Sequence, residues 1–176
     1  SDAERLGGLA VARYDLRAPT LPLAFLPDRL ARAEVALGAT PCDADGRGGF
    51  RCPDRRTALA REAREVDGLP RPCLVAQLSP GAPLRIAFPA VPLGRALRGH
   101  LGVVGEAALG GRGPVRLAVA LDGREVARAE LPPGDPAWRP FQVETVLEAG
   151  RTRELAITLS LEGEARPVCL DAYTLP

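Results

Sequence analysis

The sequence contains no lysine, no asparagine and no methionine, and only one histidine and three serines. Each absence removes a class of chemistry. Without Lys there is no Schiff-base amine and no phosphate loop of the Walker type, which depends on one. Without Asn there is no N-glycosylation acceptor. One His and three Ser leave most hydrolytic machinery without parts. Aromatic residues make up 4% of the chain, so its core must be assembled from Leu, Val and Ala. No apolar run approaches the roughly 18 residues of a membrane span. The opening residues, Ser1-Asp2-Ala3-Glu4, carry neither the basic nor the apolar region of a signal peptide. Either a targeting segment has been removed or the segment is cut from a longer parent; the second is the expectation, with no membrane insertion by this segment. Charge of one sign is lacking too: 23 Arg oppose 22 acidic residues, for a formal +1. That balance excludes a dedicated nucleic-acid binder.

What is present is Arg, Ala, Gly and Pro, with 19 Gly and 18 Pro. Arg as the sole strong base reads as the codon bias of a GC-rich bacterial genome. A length of 176 residues suits one domain.

Four Cys stand at positions 42, 52, 73 and 169. None forms a Cys-x-x-Cys pair, and one His cannot complete a mixed zinc site. An even number without metal spacing points to two disulfides and an extracytoplasmic, oxidising compartment. Four Cys allow three connectivities. Cys42 and Cys52 bracket a Gly-rich loop able to bring its ends together, while Cys73 and Cys169 lie in apolar, strand-like runs. The expected pairing is Cys42–Cys52 with Cys73–Cys169, and the competing reading is four free thiols in a cytosolic protein.

From Leu84 onward the pattern alternates with period two, the signature of half-buried strands. Val115, Leu117, Val119 and Leu121 share one phase, and Asp122-Gly123 follows as a hairpin signal. Phe141, Val143 and Thr145 continue the pattern, as do Leu155, Ile157, Leu159 and Leu161, and a last strand runs from Arg166 to Thr174. In the first half, Leu9–Tyr14 and Cys73–Leu78 read as strands. Ala31–Leu37 suits a strand or a helix. Thr57–Val66 reads as the one short helix, with Asp54 as its cap and Arg61–Glu65 as an i,i+4 pair. The expectation is all-β: an antiparallel β-sandwich forming a single domain over 1–176, in which strands within 9–78 complete the sheets of a core at 84–174.

The stretches Leu97-Arg-Gly-His-Leu-Gly-Val-Val, Pro114-Val-Arg-Leu-Ala-Val-Ala-Leu-Asp-Gly, Trp138-Arg-Pro-Phe-Gln-Val-Glu-Thr and Val168-Cys-Leu-Asp-Ala-Tyr resemble a galactose-binding-domain-like jelly roll. The resemblance covers about residues 84–176. It implies an eight- or nine-stranded, non-catalytic sandwich of the kind attached to secreted or envelope enzymes and often binding carbohydrate.

Sugar recognition wants an aromatic ring beside polar groups. Trp138, Tyr14 and Tyr173 are the candidates, and the four Phe belong in the core. Trp138, Arg139 and His100 are the expected ligand contacts; the plainer readings are a Trp plugging one end of the sandwich and a His exposed on the surface without partners. Asp43 and Asp45 begin like a calcium loop, but Arg47 takes the third ligand place, which rejects it. Asp171 reads as a strand-end surface residue, with a structural calcium ligand as the other option. Arg47, Arg51, Arg55, Arg56, Arg61 and Arg64 form the densest basic run, suited to phosphate, sulfate or uronate, or else to a solvated face. No cofactor and no catalytic residue is expected. The leading function is an extracytoplasmic binding module, with glycan as its partner. The alternative is a structural domain that docks on a neighbour through small outer positions such as Ala118, Ala120, Ala127 and Ala129.

Overall fold

The structure, a computed structural model, describes residues 3–6, 9–12, 21–105 and 112–176. Its strands are β1 (Ala3–Leu6), β2 (Leu9–Ala12), β3 (Ala24–Phe25), β4 (Glu34–Leu37), β5 (Thr40–Pro41), β6 (Asp43–Ala44), β7 (Phe50–Arg51) and β8 (Ala58–Val66). They continue with β9 (Leu69–Leu78), β10 (Leu84–Pro92), β11 (Ala96–Val103), β12 (Val115–Leu121), β13 (Arg124–Leu131), β14 (Arg139–Glu144), β15 (Thr152–Leu161) and β16 (Arg166–Leu175). β1 and β2 form a separate antiparallel pair. The rest build two antiparallel sheets. The smaller runs β13-β12-β15-β10-β4-β5; the larger runs β14-β11-β16-β9-β8-β7-β6, with β3 added beside β16. From β10 to β16 the chain alternates between sheets except at the β12–β13 hairpin, which is jelly-roll winding of an all-β sandwich. β4 pairs with β10 and β9 with β16, so strands from both halves of the chain share each sheet.

Alternation decides which side chains meet between the sheets. Leu117, Val119, Leu155, Ile157 and Leu159 from the smaller sheet face Leu97, Leu101, Val168 and Leu170 from the larger. Among the described residues Phe88 is the one fully buried aromatic; aliphatic residues supply almost all of the core, as the composition requires. Each fully buried Leu or Val stabilises by roughly 1.5–3 kcal/mol. Asp122 and Gly123 have φ of 47° and 78°, the two positive values that a type I′ hairpin turn demands.

Thr57–Val66 departs from the expected helix. Ala58–Val66 is a strand that pairs with β9 from Ala58–Gln77 to Val66–Leu69. Asp67 and Gly68, at φ 53° and 71°, close that hairpin with the same turn chemistry as Asp122-Gly123. Nine backbone pairs outweigh the helix propensity of Ala, Arg and Glu. Asp54 caps no helix: its Oδ1 accepts the N–H groups of Arg56 and Thr57, and its Oδ2 accepts the Thr57 hydroxyl, fixing the entry to β8. The Arg61–Glu65 helical pair gives way to an Arg61–Asp28 ion pair at 2.6 Å. The helical residues of the first half lie instead in a short 3-10 turn, Leu26–Arg32, ahead of β4. Leu9–Ala12 is a strand, and the remainder of that expected element, with Tyr14, lies outside the described residues.

Ala127 and Ala129 are not outer residues. A register shift between Val119 and Ala120 turns them toward the core. Ala118 does lie on the outer face of the smaller sheet, beside Thr158, but among ion pairs: Glu130 and Glu162 hold Arg116, and Glu154 holds Arg85.

The disulfides are Cys42–Cys52 and Cys73–Cys169, the expected pairing. The first ties the end of β5 to the end of β7, where the chain passes from one sheet to the other. The second joins the adjacent strands β9 and β16 on the outer face of the larger sheet.

Candidate functional site

The outer face of the larger sheet carries the unusual chemistry. Along β16 the even positions Val168, Leu170 and Ala172 join the core, so Cys169, Asp171 and Tyr173 face outward. On β11 the same rule sends Leu97 and Leu101 inward and Arg98, His100 and Gly102 outward. Register then places His100 opposite Asp171 and Arg98 opposite Tyr173 on one side and Gln142 on the other.

His100 has the partner that the sequence reading denied it. Its Nδ1 lies 2.9 Å from Asp171 Oδ1. Asp171 is no exposed strand end: its side chain is 6% exposed, and Arg71 on β9 comes within 3.8 Å of its other oxygen. A carboxylate so far removed from water requires partners of this kind. The pair sets the imidazole plane and directs the other ring nitrogen away from Asp171.

Trp138 covers this cluster from the loop before β14. Its ring meets His100 edge-on, with centroids 5.9 Å apart and planes at 79°. The Arg71 guanidinium lies 5.8 Å from the ring centroid, within reach of a cation–π contact. Beneath sit Val66 and the Cys73–Cys169 disulfide, a small apolar cluster distinct from the main core. Gly102 makes the closure feasible, because a Cβ there would come 2.5 Å from Val66 Cγ1 and 3.5 Å from Trp138 Cε3. The indole is therefore already engaged by Arg71, His100 and this cluster, and among the described residues its buried Nε1 has no hydrogen-bond partner. Arg139 is engaged as well: it binds Asp135, which also accepts the Ala137 N–H at 3.0 Å. The Ala137 N–H, followed by the Arg139 guanidinium, holds the Asp135 carboxyl below the usual carboxylate range.

The open part of the face lies beside this cluster. A depression of about 570 Å³ is lined by Arg98, His100, Pro140, Phe141, Gln142 and Tyr173. Gly99 contributes only backbone, since a Cβ would collide with the Phe141 ring at 2.5 Å. Arg98 Nε donates to Gln142 Oε1 at 2.8 Å, and Gln142 donates onward to Glu144. A half-buried tyrosine ring thus stands next to three planar polar side chains.

Of the three expected contacts, His100 lines the depression, Trp138 packs behind it and Arg139 clamps its own loop. Arg98, Gln142 and Tyr173 were not singled out together by sequence. The signal was there: their strands alternate cleanly, and an Asp within Val-Cys-Leu-Asp-Ala is conspicuous.

No family model matches the sequence, and no curated protein matches it. Among solved structures, the mannan-recognising carbohydrate-binding module TmCBM27 is similar, with 17% identity and a TM-score of 0.47 over 93% of this chain and 98% of that one. The CBM51 module of Clostridium perfringens GH95, solved with methyl-galactose, has 13% identity and a TM-score of 0.46 over 80% and 92%. The CBM51-2 and INT domains of C. perfringens ZmpB, solved with GlcNAc, have 12% identity and a TM-score of 0.46 over 65% of this chain. This chain spans 25% of the length of that ZmpB chain.

As chemistry, His100–Asp171 is an oriented base of the sort that serves a nucleophile. Among the described residues the Ser and Cys candidates lie elsewhere or are consumed. Ser160 is on the smaller sheet, beside Arg116 and Glu130; Ser79 follows the end of β9; and all four Cys are in disulfides. Among the described residues no group of three or more His, Cys, Asp or Glu side chains is placed to hold a metal ion, and no helix is long and apolar enough to cross a membrane.

Proposed function

We propose that residues 1–176 act as a single, non-catalytic, extracytoplasmic binding module that takes a glycan in the depression of Arg98, His100, Gln142 and Tyr173. The observation that carries this reading is Tyr173 beside three planar polar side chains, one of them pinned by a buried carboxylate. Sugar C–H faces pack on aromatic rings, and guanidinium, amide and imidazole groups take ring hydroxyls in the plane. Trp138 supports the site from behind and Arg139 fixes the neighbouring loop. Two disulfides accounting for every Cys suit an oxidising compartment. The near-neutral charge disfavours nucleic acid.

The test is a glycan array with the wild-type chain and the variants Tyr173→Ala and Arg98→Ala. Binding that either variant abolishes, with unchanged melting, supports the reading. Binding unaffected by both overturns it.

A second reading is docking on a neighbouring domain. Leu21, Leu23, Val146 and Leu147 are exposed, Leu147 at 90%. Leu23 donates its N–H to Thr174 O, and Arg95 links Leu175 to Thr145, which bring both apolar pairs to the end of β16. Retention of every glycan interaction after Leu147→Glu assigns this end no part in sugar binding.

A further inference from the structure

The disulfide-closed hairpin at the far edge of the larger sheet holds a second set of unassigned chemistry. β6 and β7 pair Asp43 with Arg51, and Arg51 in turn faces Ala58 on β8, on the same outer side of the sheet as Gln77. Arg47 and Arg55 come to the same place from the turns on either side of β7. Together with Asp43 and Asp45 these side chains line a polar depression of about 600 Å³.

Two features mark this cluster. First, three guanidinium groups share the depression with two carboxylates, and among the described residues none of the three is in an ion pair, whereas Arg116, Arg128 and Arg153 are each held by Glu. Among the described residues no carboxylate lies within 4.0 Å of Arg47, Arg51 or Arg55. Of the acids beside them, Asp43 stands opposite Arg51 in the β6–β7 register, and Asp45 binds backbone first, with the Arg47 and Arg51 charges as lesser influences. Asp45 accepts the N–H groups of Arg47 at 2.7 Å and Gly49 at 3.0 Å, which hold its carboxyl below the usual range. Asp54 is bound to Arg56 and Thr57. Second, the backbone presenting the guanidinium groups is fixed. The Cys42–Cys52 bridge closes it, both Asp turns brace it, and Arg55 itself sits at φ 58°, with its N–H on Cys52 O. A preorganised loop with three planar forks outside any ion pair among the described residues matches an oxyanion, which takes paired N–H donors.

We propose that this hairpin is a second binding site, for the carboxylate or sulfate of an acidic saccharide. The proposal rests on the glycan-module reading and deepens it: the Arg98–Tyr173 depression takes the sugar ring, and the hairpin selects for negative charge. The two sites are separate along the sheet, since β7 lies four strand spacings from β11, roughly 19 Å.

Isothermal titration with a galacturonate oligosaccharide, its methyl ester and a sulfated oligosaccharide tests it. The wild-type chain is expected to bind an acidic ligand about tenfold more tightly than the neutral ester, with the advantage shrinking at high salt. Preference for the uronate or for the sulfate identifies the source of the oxyanion. The triple variant R47A/R51A/R55A is expected to lose the advantage while keeping its affinity for the ester, and R47K/R51K/R55K to keep part of it. Equal affinity for charged and neutral ligands, or a preference surviving the Ala variant, overturns the second site alone. Absence of binding to all three ligands overturns the second site, and the glycan array then decides the module reading independently.

Discussion

Gly102→Ala probes the packing on which the candidate site depends. The new methyl group would stand 2.5 Å from Val66 Cγ1, well inside contact distance, while Trp138 Cε3 at 3.5 Å is barely pressed. Val66 is 1% exposed and stiff at χ1, so it cannot swing away freely. Overpacking of this kind costs about 1–3 kcal/mol. For a chain of this length each kcal/mol lowers Tm by roughly 2–4 °C, so a drop of about 6 °C is the central expectation. Trp138 is the only Trp, and its emission therefore reports this cluster alone. Thermal unfolding followed by circular dichroism and by fluorescence is the assay, repeated with Val66→Ala and with both changes. The clash is with Val66, so the double variant should recover at least about 0.5 kcal/mol relative to additivity. An unchanged Tm and spectrum in Gly102→Ala, or strict additivity with Val66→Ala, would refute this arrangement of Trp138 over the disulfide.

Three further outcomes follow from the same contacts. Asp171→Ala strips His100 and Arg71 of a shared acceptor and should destabilise by about 1–3 kcal/mol, with a His100→Ala cycle showing positive coupling in chemical denaturation. Asp135→Asn tests the loop clamp by its pH dependence. The folded carboxyl titrates below its ordinary value, so its contribution is present at neutral pH and is lost as pH falls through the folded value. Wild type and variant should therefore differ at pH 7 and converge as the pH falls below about 4, and a difference that persists in acid contradicts the clamp. Replacing Cys73 and Cys169 by Ser opens a loop with a sequence separation of 96, against 10 for Cys42 and Cys52. Chain entropy assigns these about 4.7 and a little under ~3 kcal/mol, so the first pair should lower the denaturant midpoint more.

Much of the sandwich was legible because alternation and turn chemistry are local. Val115–Leu121, Asp122-Gly123 and Leu155–Leu161 needed no partner to be read as strand, turn and strand. Thr57–Val66 reads as a helix because Leu59, Ala63 and Val66 also fit a helical face, although the Asp67-Gly68 hairpin signal stands beside them. The disulfide pairing was accessible from loop length and strand context. The site was less so. His100 and Asp171 stand far apart in sequence and meet only through the β11–β16 register, which alternation alone does not determine. Trp138 drew attention as the sole Trp, yet Gly102, Val66 and Arg71 decide that its ring faces inward. Arg139 looked available because its partner, Asp135, lies in a Pro-rich loop where an ion pair leaves no pattern.

Ligand binding in the Arg98–Tyr173 depression can be read from backbone amide shifts recorded during titration with the best glycan from the array. Changes are expected to concentrate in residues 98–101, 139–142 and 171–174, on β11, β14 and β16. Changes confined to the smaller sheet around Arg116 and Ser160, with those three segments silent, would contradict binding there.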